Sequence, residues 1–254
     1  MAEYTFHTPE PVELDMQVPI GDIDVETIDG DESYVTVTGS EKALAQMRVE
    51  LEGRRLVVQL KGKHPFGISI AIGDFNFFQG GGGLHIKVKV PHASLASITT
   101  ATADTKLRGR YATLNSKSAS GDVVVTGEIE GDADLKTVSG DVRLGHVGGD
   151  LRATTVSGDV TAGSIDGSVE MKSVSGDVRF DSVRQGTVTV QSVSGDIDVG
   201  VAAGTNLDVD AGSVSGDLSS EVPLGSEPGG AGDGPVLVVR GKTISGDFRV
   251  FRAA

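Results

Sequence analysis

Apolar and polar residues alternate along most of this chain, and glycine punctuates the alternation at regular steps. With a glycine counted as zero, apolar residues fall at +2, +4 and +7. From Gly158 they are Val160, Ala162 and Ile165; from Gly167, Val169, Met171 and Val174; from Gly176, Val178, Phe180 and Val183; from Gly140, Val142, Leu144 and Val147. A period of two is the signature of a β-strand, and no helical period competes with it. The interval from +4 to +7 is odd, so the alternation breaks there, at Thr154-Thr155, Gly163-Ser164, Lys172-Ser173 and Asp181-Ser182. The interval from +7 to the next +2 is even when the half-unit is nine residues long. This runs one strand through Val156, Gly158, Val160 and Ala162, all on its inner face. The half-unit is then a strand of about seven residues and a corner of about two.

The glycines also define a longer repeat. Ser-Gly-Asp recurs with its glycine at Gly121, Gly140, Gly158, Gly176, Gly195, Gly216 and Gly246, at spacings of 19, 18, 18, 19, 21 and 30. Gly131, Gly149, Gly167 and Gly186 fall between them. The full period is therefore about 18, built from two similar halves. An all-β parallel β-helix (β-solenoid) with about 18 residues per coil accounts for this super-period, because Ser-Gly-Asp marks alternate half-units, as one side of a coil would. The alternative is an antiparallel meander folded into a β-sandwich. In the solenoid, the core is a narrow stack of Val, Leu, Ile and Ala, and each such side chain contributes about 1.5–3 kcal/mol when fully buried.

The remainder of residues 1–254 reads as part of the same domain. Residues 12–92 are degenerate N-terminal coils, with Gly21-Asp22 and Gly30-Asp31 nine apart and one short helix from Ser40 to Met47. Residues 93–218 are the regular repeats, 219–235 a flexible insertion, and 236–254 closing strands with Phe248 and Phe251 as an end cap. Residues 61–83 break the pattern with Phe66, Phe75, Phe77, Phe78 and a four-glycine run, and form a candidate interaction loop. That run is not a phosphate loop, since no Gly-Lys-Ser/Thr follows it.

Composition narrows the function. With 22 Lys+Arg against 36 Asp+Glu the net charge is −14, which argues against nucleic-acid binding. No apolar run is long enough for a membrane helix. The absence of Cys removes disulfides and thiolate metal sites. No basic and apolar leader precedes the repeats, so the chain reads as cytoplasmic, or extracellular if a signal has been removed. Seven identical serines without a matching His do not make a nucleophile, and the five His show no ligand spacing. Asp122, Asp141, Asp159, Asp177, Asp196 and Asp217 form one outward column beside Gly121, Gly140, Gly158, Gly176, Gly195 and Gly216. Neighbouring carboxylates about 4.8 Å apart repel by about 0.9 kcal/mol in a water-like dielectric. The nine-residue calcium-roll consensus is met only in fragments such as Gly148-Gly149-Asp150. Catalytic, metal and cofactor residues are accordingly assigned as none. A polysaccharide-cleaving β-helix would need a unique acidic pair with aromatic or Arg platforms, and evenly repeated acids do not supply it.

Val138-Ser139-Gly140-Asp141-Val142 and its copies, preceded by a strand ending in proline at Val88-Lys89-Val90-Pro91, resemble a bacterial family of putative adhesin domains, β-strand-repeat proteins of unknown function. The resemblance spans about residues 12–252 and is strongest over 93–217. It implies a β-helix with surface or scaffold-like behaviour and no catalytic residues. The expectation is a non-enzymatic β-helical scaffold that binds protein partners or itself. The alternative is an adhesin-like module that binds carbohydrate or a cell surface.

Overall fold

The computed structural model describes residues 1–60, 83–222 and 234–253. Its repeats wind as a parallel solenoid. Residues 95–108 of β7 (Ser94–Ser120) lie on β2 (Glu13–Ile28), which forms the first coil. One face of the stack continues from the end of β7 through β9 (Ala133–Ser139), β11 (Leu151–Thr154), β13 (Val169–Lys172) and β15 (Gly186–Gln191), all parallel. The other continues from the middle of β7 through β8 (Val123–Ile129), β10 (Val142–Val147), β12 (Val160–Ile165), β14 (Val178–Val183) and β16 (Ile197–Val201). Like residues stack over like: Val123, Val142, Val160, Val178 and Ile197 form one buried column, and Ala133, Leu151, Val169 and Val188 another. The antiparallel meander is thereby excluded for the repeats.

Two details of the coil differ from the sequence reading. Strands break at Ser-Gly-Asp instead of running through it, and Val156 faces solvent while Val160 faces the core. The cause is Gly158, whose φ of +128° reverses the alternation at the corner. On this face the inward set continues from Leu151 and Ala153 to Thr155, so Thr154-Thr155 is not a corner. On the other face the expected break holds: Gly163 and Ser164 both turn outward within β12, and Ile165 returns to the core.

The second difference is stacking order. β19 (Val236–Ser245) and β20 (Phe248–Arg252) do not close the end of the stack. They lie between β15/β16 and the earlier coil made by β17 (Asn206–Ser215) and β18 (Leu218–Ser220). Inward apolarity explains the order. At matched rungs the two coils present equivalent Leu and Val (Leu207/Leu237, Val209/Val239), but Phe248 and Val250 stand where the outer coil has Leu218 and Ser220. The more apolar coil takes the interior slot. Gly241 leaves the space that the Phe248 ring fills.

At the other end, β2 pairs with two strands that are not part of the regular winding. β5 (Arg55–Leu60) lies along its first half and β6 (His85–Pro91) along its second. β4 (Met47–Glu52) then pairs antiparallel with β5, β3 (Glu32–Thr38) with β6, and β1 (Ala2–His7) with β3. The expected short helix is α1 (Glu41–Gln46), capped by the Ser40 hydroxyl, which accepts from the Ala43 N–H at 3.3 Å. Residues 61–82, with Phe66, Phe75, Phe77 and Phe78, lie outside the described residues, as do residues 223–233 of the expected insertion.

Candidate interaction site at the Ser-Gly-Asp corner

The seven Ser-Gly-Asp units form one corner column in the spatial order 120, 139, 157, 175, 194, 245, 215. Their glycines have φ between +116° and +151°, a region costly to any residue with a Cβ. A Cβ on Gly176 would overlap the carbonyl oxygen of Gly158, one coil away.

The aspartates of the motif hold the coils together. Asp104 Oδ1 accepts from the Asp122 N–H at 3.0 Å, and Asp122 Oδ1 from the Asp141 N–H at 2.9 Å. The relay continues through Asp159, Asp177, Asp196, Asp247 and Asp217 at 2.8–3.1 Å. Each step satisfies a corner N–H that the strand ladder leaves over, and a charge-assisted bond offsets the repulsion between neighbouring carboxylates. A shorter relay at the opposite corner joins Asp132, Asp150 and Ser168 at 2.8–2.9 Å. The Gly and Asp positions singled out from sequence are thus brought together, in a structural role.

A ladder of hydroxyls lies inside the same corner. Thr100, Ser118, Thr137, Thr155, Ser173, Ser192 and Thr243 are buried. Four of them donate to a carbonyl two residues ahead: Ser118 to Ser120 at 3.1 Å, Thr137 to Ser139 at 3.3 Å, Ser192 to Ser194 at 3.1 Å and Thr243 to Ser245 at 3.2 Å. Because these residues point inward, the next one along points out. Val138, Val156, Val174, Val193, Ile244 and Val214 form an exposed apolar ladder, 45–54% accessible over the first five and 83% at Val214. The sequence reading placed this ladder in the core. The signal it passed over is the parity of Leu151, Ala153 and Thr155, which puts Val156 on the opposite side. Next to the ladder on the outer face lie Lys117, Lys136, Lys172 and Lys242, all exposed, and beyond it on the other side lie the Ser and Asp columns.

The described histidines are spread over the surface. His85 lies near Asp24, His92 near Asp29 and His7 near Asp31. His146 Nδ1 is 2.7 Å from Ser164 Oγ, and its Nε2 lies 3.7 Å from Asp166 and 3.8 Å from Glu128. Those acids are too far to orient the ring by a hydrogen bond, and the group sits on the outer face of β10 and β12. Among the described residues no three His, Asp or Glu side chains converge as metal ligands, and no helix is long and apolar enough to cross a membrane.

Solved structures with the same fold include a putative adhesin from Bacteroides fragilis NCTC 9343, at 14% identity and TM-score 0.54, covering 98% of this chain and 96% of that one. A putative lipid binding protein from Parabacteroides distasonis ATCC 8503 is similar at 17% identity and TM-score 0.55, with 97% and 96% covered. A putative adhesin from the same organism is similar at 16% identity and TM-score 0.52, with 98% and 96% covered. Among curated proteins no match was found. The family model described as Toastrack DUF4097 matches residues 13–251, almost the whole solenoid, and the chain belongs to that family.

Proposed function

We propose that the protein is a non-enzymatic interaction module, a β-helical scaffold that binds protein partners or itself through the Ser-Gly-Asp corner. The observation that carries this reading is the division of labour within the repeat. Gly and Asp are engaged in holding coil to coil, while the Val/Ile ladder beside them stands in solvent. Exposed contiguous apolar surface on a folded domain marks a contact site. The adhesin names of structural neighbours agree with a binding role.

A second reading is an adhesin-like module for carbohydrate or a cell surface, which would place the protein outside the cytoplasm. It draws on an open cleft of about 420 Å³ lined by Thr5, Tyr34, Lys87 and Lys89 on the outer face of β1, β3 and β6. The Tyr34 ring beside two cations on a flat sheet suits polyhydroxylated ligands.

The test is capture from native cell fractions by wild type, by Val156→Asp/Val174→Asp/Val193→Asp, by Tyr34→Ala/Lys87→Ala and by a deletion of residues 61–83, with contacts mapped by cross-linking mass spectrometry. Loss of capture in the triple variant alone, with contacts on the corner, supports the scaffold reading. Loss in the Tyr34 variant alone, with glycan binding, supports the adhesin reading. Loss only on deletion of 61–83 transfers the contact to the Phe-rich segment and overturns the corner as the site.

A further inference from the structure

We propose that the apolar ladder is the seam of a symmetric dimer of this chain, with its two-fold axis parallel to the stack. The proposal rests on reading the corner as an interaction surface, and it names the partner as a second copy.

Three observations carry it. The first is continuity. Val138, Val156, Val174, Val193, Ile244 and Val214 occupy successive rungs, and no polar rung interrupts them. At a rung spacing of about 4.8 Å the stripe is about 24 Å long. The second is register. A second copy presents the same stripe at the same spacing, so under this two-fold each β-branched rung meets its own counterpart along the whole seam. A partner of another fold does not repeat at that interval.

The third is charge. Lys136, Lys172 and Lys242 flank three of the six rungs on one side, with Lys117 one rung beyond Val138 and Thr154, Gln191 and Gly212 at the equivalent positions of the other three, and the Asp column lies on the other side. Lys172 pairs with Glu170 at 2.7 Å and Lys136 with Asp134 at 3.8 Å, both exposed pairs that exchange readily. A two-fold axis parallel to the stack brings the Lys side of each copy opposite the Asp side of the other. A perpendicular axis sets Lys against Lys and Asp against Asp. Like charges across an interface are costly, so the parallel arrangement is selected. A symmetric pair of this kind is closed and does not propagate into filaments. A single stripe of six side chains covers less than the surface of a standard-size interface, so the dimer is weak and reversible.

The absence of native Cys gives a direct test. Val156→Cys and Ile244→Cys are each oxidised alone, and then mixed, with outward Thr161→Cys as control. Sedimentation of the Cys-free chain over a concentration range of about a hundredfold gives the association itself. The expected result is reversible dimerisation, with each ladder variant cross-linking to its own counterpart at least about tenfold faster than the control. Val174→Asp, with an unchanged circular dichroism spectrum, abolishes the dimer, and Lys136→Glu/Lys172→Glu/Lys242→Glu weakens it about tenfold. Cross-linking only in the Val156→Cys and Ile244→Cys mixture shows an antiparallel seam and overturns the proposed symmetry. A monomer at every concentration overturns the dimer. If ladder-dependent capture of another protein, or of anionic lipid vesicles, persists in that monomer, the corner remains an interaction surface; if that is also lost, both readings fall.

Discussion

The two corners of the coil carry the same apolar position and treat it oppositely. Tyr111, Ile129, Val147, Ile165, Val183 and Val201 follow one set of half-units and are all at most 1% exposed. Val138, Val156, Val174, Val193 and Ile244 follow the other set at a similar offset and are about half exposed. The difference lies in the residues just before them. On the buried side, Gly145-His146, Gly163-Ser164 and Asp181-Ser182 place two successive residues outward, and the register shifts at Leu144/His146 and Phe180/Val183. On the exposed side an inward Thr or Ser keeps strict alternation up to a glycine of positive φ. Hydrophobicity at a position does not decide its face; the parity set by its neighbours does.

The comparison can be broken most severely at the glycine. Gly176→Ala adds left-handed strain and an overlap with the Gly158 carbonyl, and chemical denaturation should show a loss of about 4 kcal/mol or more. The paired truncations come next. Ile165→Ala empties a filled core site and should cost about 3 kcal/mol, while Val156→Ala should change stability by less than about 0.5 kcal/mol. Equal losses would show that the two corners are alike.

The buried corner should also carry a pH signature. Tyr111 donates its hydroxyl to Val25 O at 2.9 Å and to Arg108 O at 3.2 Å, and burial pushes its phenol well above the ordinary 10.0. Above that ordinary value the unfolded chain releases a proton that the folded one retains, so stability falls as pH rises. A urea series at rising alkaline pH should show a steeper loss in wild type than in Tyr111→Phe. A modest gain belongs to the exposed corner. The Thr155 hydroxyl is buried without a hydrogen-bond partner, so Thr155→Val should gain about 1 kcal/mol in thermal unfolding, while Thr137→Val, which gives up its bond to Ser139, should not.

Much of this architecture was legible in the chain. Glycine spacing alone fixes the coil length, and the placement of Ser-Gly-Asp in alternate half-units separates winding from zigzag. Capping chemistry at Ser40 locates α1. The fate of Val156 was not legible from hydrophobicity, since a Val before Ser-Gly-Asp fits the inner face until Gly158 takes a positive φ. Nor was the slot of the last coil, because stacking order depends on competition between two coils for the interior and not on their order along the chain. The Asp relay was only half legible. The column follows from the repeat, but acceptance by one carboxylate of the next rung's N–H is set by how closely the glycines stack.

The central claim is that parity turns equivalent apolar positions inward at one corner and outward at the other. Thiol labelling in this Cys-free chain tests it most directly: Val156→Cys and Ile165→Cys, each folded, each exposed to the same alkylating reagent. The account predicts that Cys at 156 reacts at nearly the rate of a free thiol while Cys at 165 reacts only through unfolding, at least about a thousandfold slower. Comparable rates at the two positions would contradict it.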